Sequence, residues 1–298
     1  VLKTVLVPLD GSKLAERALP ITEGLASLVG GSIILLRVVP KATHRDAGTA
    51  AGPEAEAYLK DVAARQSIPS VRIQVREGEP APTILSEIAG RGVDLVAMST
   101  HGRSGIGRWI YGSVADDVMR HSPVPVLLVP ATGAARIWPK ERPPRILVPL
   151  DFSGLSEAVL APTLELARSI GAELILVSVT PMLIASPDLA EAGYVAYDID
   201  RDQADRQKYL ADLANRLRAE GYSVTTRVEF GFPNEVIVDV AQEAQVDLIA
   251  IATHGSGGVT RLLMGSTATG VVQRAKIPVL VVRPREVREE KPEADDPV

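Results

Sequence analysis

The chain has no cysteine, which excludes disulfides and thiolate metal sites and is compatible with a reducing compartment. Aromatic residues make up only 4% of its 298 residues, so any core must be built from Val, Leu, Ile and Ala. No apolar run reaches the roughly 18–20 residues needed to span a bilayer, and no membrane partner is expected. Positive charge is not in excess: the net charge is -5, part of it in the terminal run REEKPEADDPV (Arg288–Val298). That balance argues against a general nucleic-acid binder, because neutralising phosphates takes a basic surface. The amino end, VLKTVLVPLDGS, reads directly as a strand and lacks the cationic, apolar and cleavage regions of a signal peptide. A cytoplasmic location is therefore the expectation.

What the chain does have is a duplication. TVLVPLDGSKLAERAL (Thr4–Leu19) matches RILVPLDFSGLSEAVL (Arg145–Leu160), with Asp10 against Asp151, an offset of 141. SIILLRVVP (Ser32–Pro40) matches ELILVSVTP (Glu173–Pro181) at the same offset. VDLVAMSTHG (Val93–Gly102) matches VDLIAIATHG (Val246–Gly255), and Pro125 matches Pro278, both at 153. The rise from 141 to 153 is a net insertion of 12 residues in the second copy, ahead of Gly78 and its counterpart Gly231. It extends the region Met182–Leu217, read as a longer crossover. Domains are expected at 1–130 and 145–284, joined by a linker at 131–144 and followed by an acidic tail at 285–298. The linker ATGAARIWPKERPP holds one glycine, three prolines and little periodicity.

Within a copy, short β-branched runs (TVLVPL, IILLRVV, VRIQVREG, VDLVAMS, VPVLLVP) alternate with helical patterns at Leu14–Leu28, Glu54–Arg65, Pro82–Gly90 and Ser113–His121. Continuous apolar strands separated by helices indicate a parallel sheet covered on both faces. The fold class expected is therefore α/β, two tandem doubly wound domains.

One frame recurs at the end of the fourth strand. STHGRSGIGRWIYGS (Ser99–Ser113) and ATHGSGGVTRLLMGS (Ala252–Ser266) each put nine residues between two glycines, Gly102 to Gly112 and Gly255 to Gly265. This places both stretches at the carboxyl edge of a parallel sheet, where open α/β folds bind ligands. Glycines let backbone N–H groups approach an anion. Ser113 and Ser266 can cap the helix or offer a hydroxyl, and the helix N-terminus adds about half a positive charge. Arg108 aligns with Arg261 as a cation for phosphate. Together these suggest a polyphosphate site, although each residue also has an ordinary turn or cap role. Asp10 and Asp151, two residues after Pro8 and Pro149, either accept hydrogen bonds from a ribose or base or help Ser12 and Ser153 cap the next helix. His101 and His254 read as strand-end histidines rather than catalysts. Asp116 and Asp117 read as first-turn carboxylates that favour the helix dipole. Neither a metal spacing nor a nucleophile elbow is present in the sequence.

These residues resemble the universal stress protein family, as a tandem of two such domains. The family's ATP-binding pattern is glycine, two residues, glycine, nine residues, then glycine followed by serine or threonine. Gly102, Gly112 and Ser113 supply it in one copy, and Gly255, Gly265 and Ser266 in the other. Both copies depart at the first glycine, which is Ser99 or Ala252. The resemblance implies ATP, with or without Mg2+, as ligand, with Asp10 and Asp151 near the nucleoside and the backbone of Val38 and Val179 facing adenine. It also implies five-stranded sheets of order 3-2-1-4-5, the adenine nucleotide alpha hydrolase-like arrangement, and pairing of the two domains through their last strands. Self-association of whole chains is a further option. No Walker loop is present, so the expected role is a nucleotide-responsive stress regulator, with slow ATP hydrolysis at most. The alternatives are a nucleotide-free relative acting through protein contacts and a hydrolytic or adenylyl-transferring enzyme.

Overall fold

The computed structural model describes residues 2–41, 51–67, 70–100, 112–132, 138–182, 198–253 and 264–284. The first half runs β1 (Thr4–Pro8), a 3-10 turn (Ala15–Ala18), α1 (Leu19–Val29), β2 (Ser32–Val39), α2 (Ala51–Ala64) and β3 (Val71–Glu77). It continues through α3 (Pro80–Gly90), β4 (Leu95–Ser99), α4 (Ser113–His121) and β5 (Val126–Val129). The second half repeats the series as β6 (Arg145–Pro149), α5 (Gly154–Glu157), α6 (Leu160–Ile170), β7 (Glu173–Pro181) and α7 (Ile199–Ala219). It ends with β8 (Val224–Gly231), α8 (Pro233–Glu243), β9 (Leu248–Ala252), α9 (Ser266–Arg274) and β10 (Val279–Val282).

Local chemistry sets these boundaries. α1 and α6 both end on a glycine in the left-handed region, Gly30 at φ 63° and Gly171 at φ 65°, where a side chain would be strained. α3 and α8 begin on Pro80 and Pro233, where the missing N–H is one the helix could not use. The Asp198 carboxylate caps α7 by accepting from the Arg201 N–H at 3.0 Å.

The strands form one ten-stranded sheet of order β3-β2-β1-β4-β5-β10-β9-β6-β7-β8. Each half has the order 3-2-1-4-5 with parallel neighbours. The halves meet at an antiparallel seam, where Leu280 pairs with Leu127 and Val281 with Val126. Alternate strand residues feed two core layers. Val5, Val7, Ile33 and Leu35 pack with α1 and α2, while Leu6, Ile34 and Leu36 pack with α3 and α4. Both layers continue across the seam, so Leu127 and Leu280 belong to one buried cluster, and Leu128 and Val281 to the other.

The connection between the halves is docked. Trp138 is 6% exposed and donates from Nε1 to the Ile21 carbonyl at 3.2 Å. Arg142 forms a bidentate pair with Asp247, at 2.7 and 3.0 Å. The stretch read from its prolines as a linker thus carries an anchor for each half, which its lack of periodicity concealed. Among the described residues no helix is long and apolar enough to cross a membrane.

Candidate functional site

The residues singled out in the second copy converge. Pro149 and Asp151 follow β6, Val179 lies near the end of β7, Ala252 ends β9, and Gly265 and Ser266 open α9. All six line a single cavity of about 320 Å³ at the carboxyl edge of the sheet. That size is at the lower end of small-molecule sites, about 300–1,000 Å³. It sits where β6 is flanked by β7 on one side and β9 on the other, the crossover point at which open α/β sheets leave a crevice. In the first copy Pro8, Asp10, Val38, Ser99, Gly112 and Ser113 occupy the matching ends of β1, β2, β4 and α4. Gly102, Arg108, Gly255 and Arg261, with His101 and His254, lie outside the described residues. A second cavity, about 550 Å³, opens at the amino edge of β9 and β10 beside Arg142, Gln242 and Lys276. It contains none of the expected site residues.

The glycines' own amides are committed within the fold. The Gly112 N–H donates to the Thr100 carbonyl at 2.9 Å, and the Gly265 N–H to the Thr253 carbonyl at 2.8 Å. These amides are already spent and are not the ones that could face an anion. The open donors are the next three N–H groups of each helix, those of 113–115 and 266–268, which have no intrahelical acceptor. Gly112 and Gly265 are themselves the N-cap residues, at φ −63° and −57°. Ser113 and Ser266 follow inside the helix and are exposed, so neither caps it. Among the described residues their hydroxyls have no hydrogen-bond partner.

Neither glycine is demanded by the backbone, because those φ values suit any residue. At Gly112 a Cβ would meet, among the described residues, only the Thr100 carbonyl oxygen, at 3.8 Å. That is an ordinary van der Waals contact.

Both aspartates take part in capping the next helix. Asp10 Oδ1 accepts from the Ser12 N–H at 2.9 Å and its hydroxyl at 2.6 Å, and Ser12 Oγ in turn accepts from the Ala15 N–H at 3.1 Å. Asp151 holds Ser153 the same way, at 3.1 and 2.6 Å, and Ser153 caps α5 by accepting from the Ser156 N–H. The serine does the capping and the aspartate braces it, while Asp151 also stands on the cavity wall. On α4, Asp116 pairs with Arg120 at 2.9 Å and Asp117 with His121 at 2.7 Å, helix-surface roles.

Arg206 on α7, which is not among the residues singled out from sequence, is 8% exposed and also lines the cavity. Its sequence signal was available: Arg206, Leu210, Leu213, Ala214 and Leu217 form the buried stripe of the helix, so a cation stands in a core position.

Behind each aspartate loop a tyrosine on the following long helix donates to a glutamate. Tyr58 reaches Glu16 at 3.2 Å and Tyr209 reaches Glu157 at 2.7 Å. Burial pushes both phenols above their ordinary range, and the neighbouring glutamates push them further. A raised folded-state value means stability is fully present below the unfolded-state pKa, about 10, and is lost as pH rises above it. Urea midpoints should therefore fall between about pH 9.5 and 11.5. The double variant Tyr58→Phe/Tyr209→Phe should fall less steeply; an identical decline would remove these phenols as the cause.

The family model described as the universal stress protein family matches residues 2–130 and 144–283. The chain belongs to this family. A universal stress protein of Mycobacterium tuberculosis is 29% identical over 216 residues, which is 72% of this chain and 69% of that protein. Universal stress protein E of Escherichia coli K12 is 29% identical over 219 residues, covering 70% of this chain and 67% of the relative. The crystal structure of a universal stress protein from Archaeoglobus fulgidus superposes with a TM-score of 0.73 at 24% identity, over 94% of this chain and 98% of that one. It shares the fold across both halves. The two family matches fall on the two copies of the repeat, and the crevice with Asp151, Val179 and the α9 terminus lies inside the second.

Proposed function

We propose that this universal stress protein binds ATP at the carboxyl edge of each half and acts as a nucleotide-responsive regulator. The observation that carries the reading is the cavity of the second half, where six residues chosen from sequence meet around one crevice. Its chemistry suits a nucleotide. Val177, Val179, Ile237 and Ile251 give an apolar wall for a base, Asp151 gives an acceptor for ribose hydroxyls, and the open N–H groups of α9 with the Ser266 hydroxyl give donors for phosphate. Among the described residues no cluster of acidic or histidine side chains is placed to hold a metal ion. Mg2+ enters the reading only as the counter-ion of the bound triphosphate.

One observation favours a nucleotide-free role in protein contacts. Ala252 puts a methyl group on the cavity wall where the family pattern has glycine. Heat-denatured protein should release ATP, and titration with ATP and Mg2+ by calorimetry should give saturable binding. No released nucleotide and no saturable binding would overturn the proposal in favour of protein contacts. Steady turnover in the ordinary enzyme range, about 1–1,000 per second, would overturn it in favour of catalysis.

A further inference from the structure

Each half packs a guanidinium behind its aspartate, half-buried in the first and buried in the second, and the two halves deliver it from different elements. In the first half Arg37, on β2, donates from Nη1 to the Leu9 carbonyl at 3.2 Å and lies 5.9 Å from the centroid of the Tyr58 ring. The aligned residue in the second half is Ser178. Its hydroxyl donates to the Leu150 carbonyl at 2.7 Å and accepts from Nη1 of Arg206 at 2.8 Å. Arg206 projects from α7 at the position that Ala55 holds on α2, since Tyr58-Leu59 and Tyr209-Leu210 occupy matching places in the two helices. Arg37 with Ala55 has become Ser178 with Arg206: the cation and the small residue have exchanged sides of one strand–helix interface. Ala55 and Arg206 are both buried, at 6% and 8% exposed.

The second-half guanidinium is fixed on every side. Nε and Nη2 donate to Asp202 at 2.5 and 3.2 Å, and Thr180 Oγ1 donates to the same carboxylate at 2.6 Å. Its carbon lies 4.8 Å from the ring centroid of Phe152, a favourable cation–π distance. Phe152 has φ 72°, where the first half has Gly11 at φ 84°. A bulky side chain in the left-handed region is disfavoured, and here the ring gains Arg206 on its face and Tyr209 at its edge, 4.9 Å between centroids. A strained residue thus backs the relocated cation. In both halves the carbonyl so held, Leu9 or Leu150, immediately precedes the site aspartate, Asp10 or Asp151.

We propose that Arg37 and Arg206 are equivalent positioning residues, Arg37 holding the Leu9 carbonyl directly and Arg206 holding the Leu150 carbonyl through the Ser178 hydroxyl, so that the aspartate that follows meets the ligand. Arg206, as part of the cavity wall, also touches the ligand. The proposal rests on the nucleotide reading above. Exchanges that preserve one guanidinium and one small residue per half are what a shared role requires, because a lone Arg37→Ser or a lone Ala55→Arg would remove or double the charge.

The test is an exchange experiment read by ATP titration, with thermal melts reporting folding. Arg37→Ala/Arg206→Ala should weaken ATP tenfold or more. The quadruple exchange Arg37→Ser/Ala55→Arg/Ser178→Arg/Arg206→Ala, which transplants each arrangement into the other half, should bind within about threefold of the parent. A folded alanine pair that binds like the parent, or a folded exchange no better than the alanine pair, overturns the proposal. If the exchange does not fold, Arg206→Met and Arg206→Lys decide it: Met must weaken the second site more than Lys, and equal affinities overturn it. A parent protein that binds no ATP sinks the nucleotide reading and this proposal together. Parent binding with silent arginine variants sinks this proposal alone.

Discussion

Gly112→Val and Gly265→Val should each weaken ATP at their own site tenfold or more, about 1.4 kcal/mol, while the protein stays folded. The unliganded backbone tolerates the change. Gly112 sits at φ −63°, ψ 143° and Gly265 at φ −57°, ψ 149°, values that valine adopts readily. Each is an N-cap whose own N–H is already committed to Thr100 or Thr253, a bond that valine keeps. Gly at an N-cap is a middling choice, and its replacement by an apolar residue costs about 1 kcal/mol or less of stability. A ligand resting on the N–H groups of 113–115 or 266–268 would meet the new isopropyl group directly. Calorimetric titration of both folded variants checks this; unchanged affinity in both would place the ligand elsewhere on the molecule.

Leu280→Ala should lower the unfolding free energy by about 2–5 kcal/mol, the usual range for truncating a buried leucine. Leu280 is 1% exposed, pairs with Leu127 across the seam and lies in the core layer that runs through both halves. Lost apolar burial and the cavity left behind both contribute, since neighbouring strands cannot collapse into the space. Because the layer is continuous, parent and variant should both unfold in one cooperative transition. Two separated transitions in urea, with only one moved by the substitution, would show that the halves unfold independently. The seam has a second benefit. Unpaired, β5 and β10 would each expose an apolar edge of the kind that promotes aggregation, and here each covers the other.

Much of the site was legible because its signals are local or repeated. The offsets 141 and 153 paired Asp10 with Asp151 and Gly112 with Gly265, and β-branched runs ending at those residues placed them at one edge of a sheet. The helix start at Ser113 and Ser266 followed from the same alternation. What escaped were the individual hydrogen bonds whose partners lie far along the chain. Nothing near Gly265 says that its N–H is spent on Thr253. Nothing near Trp138 says that its ring is buried in a core layer with a bond to Ile21.

The sequence alone thus determined the duplicated α/β plan, the strand and helix periods and the residues at each carboxyl edge. Periodicity and turn chemistry are properties of neighbouring residues. The tertiary structure alone decided that the seam between the halves is antiparallel with both core layers running across it, that the open amides belong to 113–115 and 266–268, and that the guanidinium comes from β2 in one half and α7 in the other. Those outcomes turn on which distant groups satisfy one another once water is excluded, and a buried polar group accepts whichever partner the packed fold brings within reach.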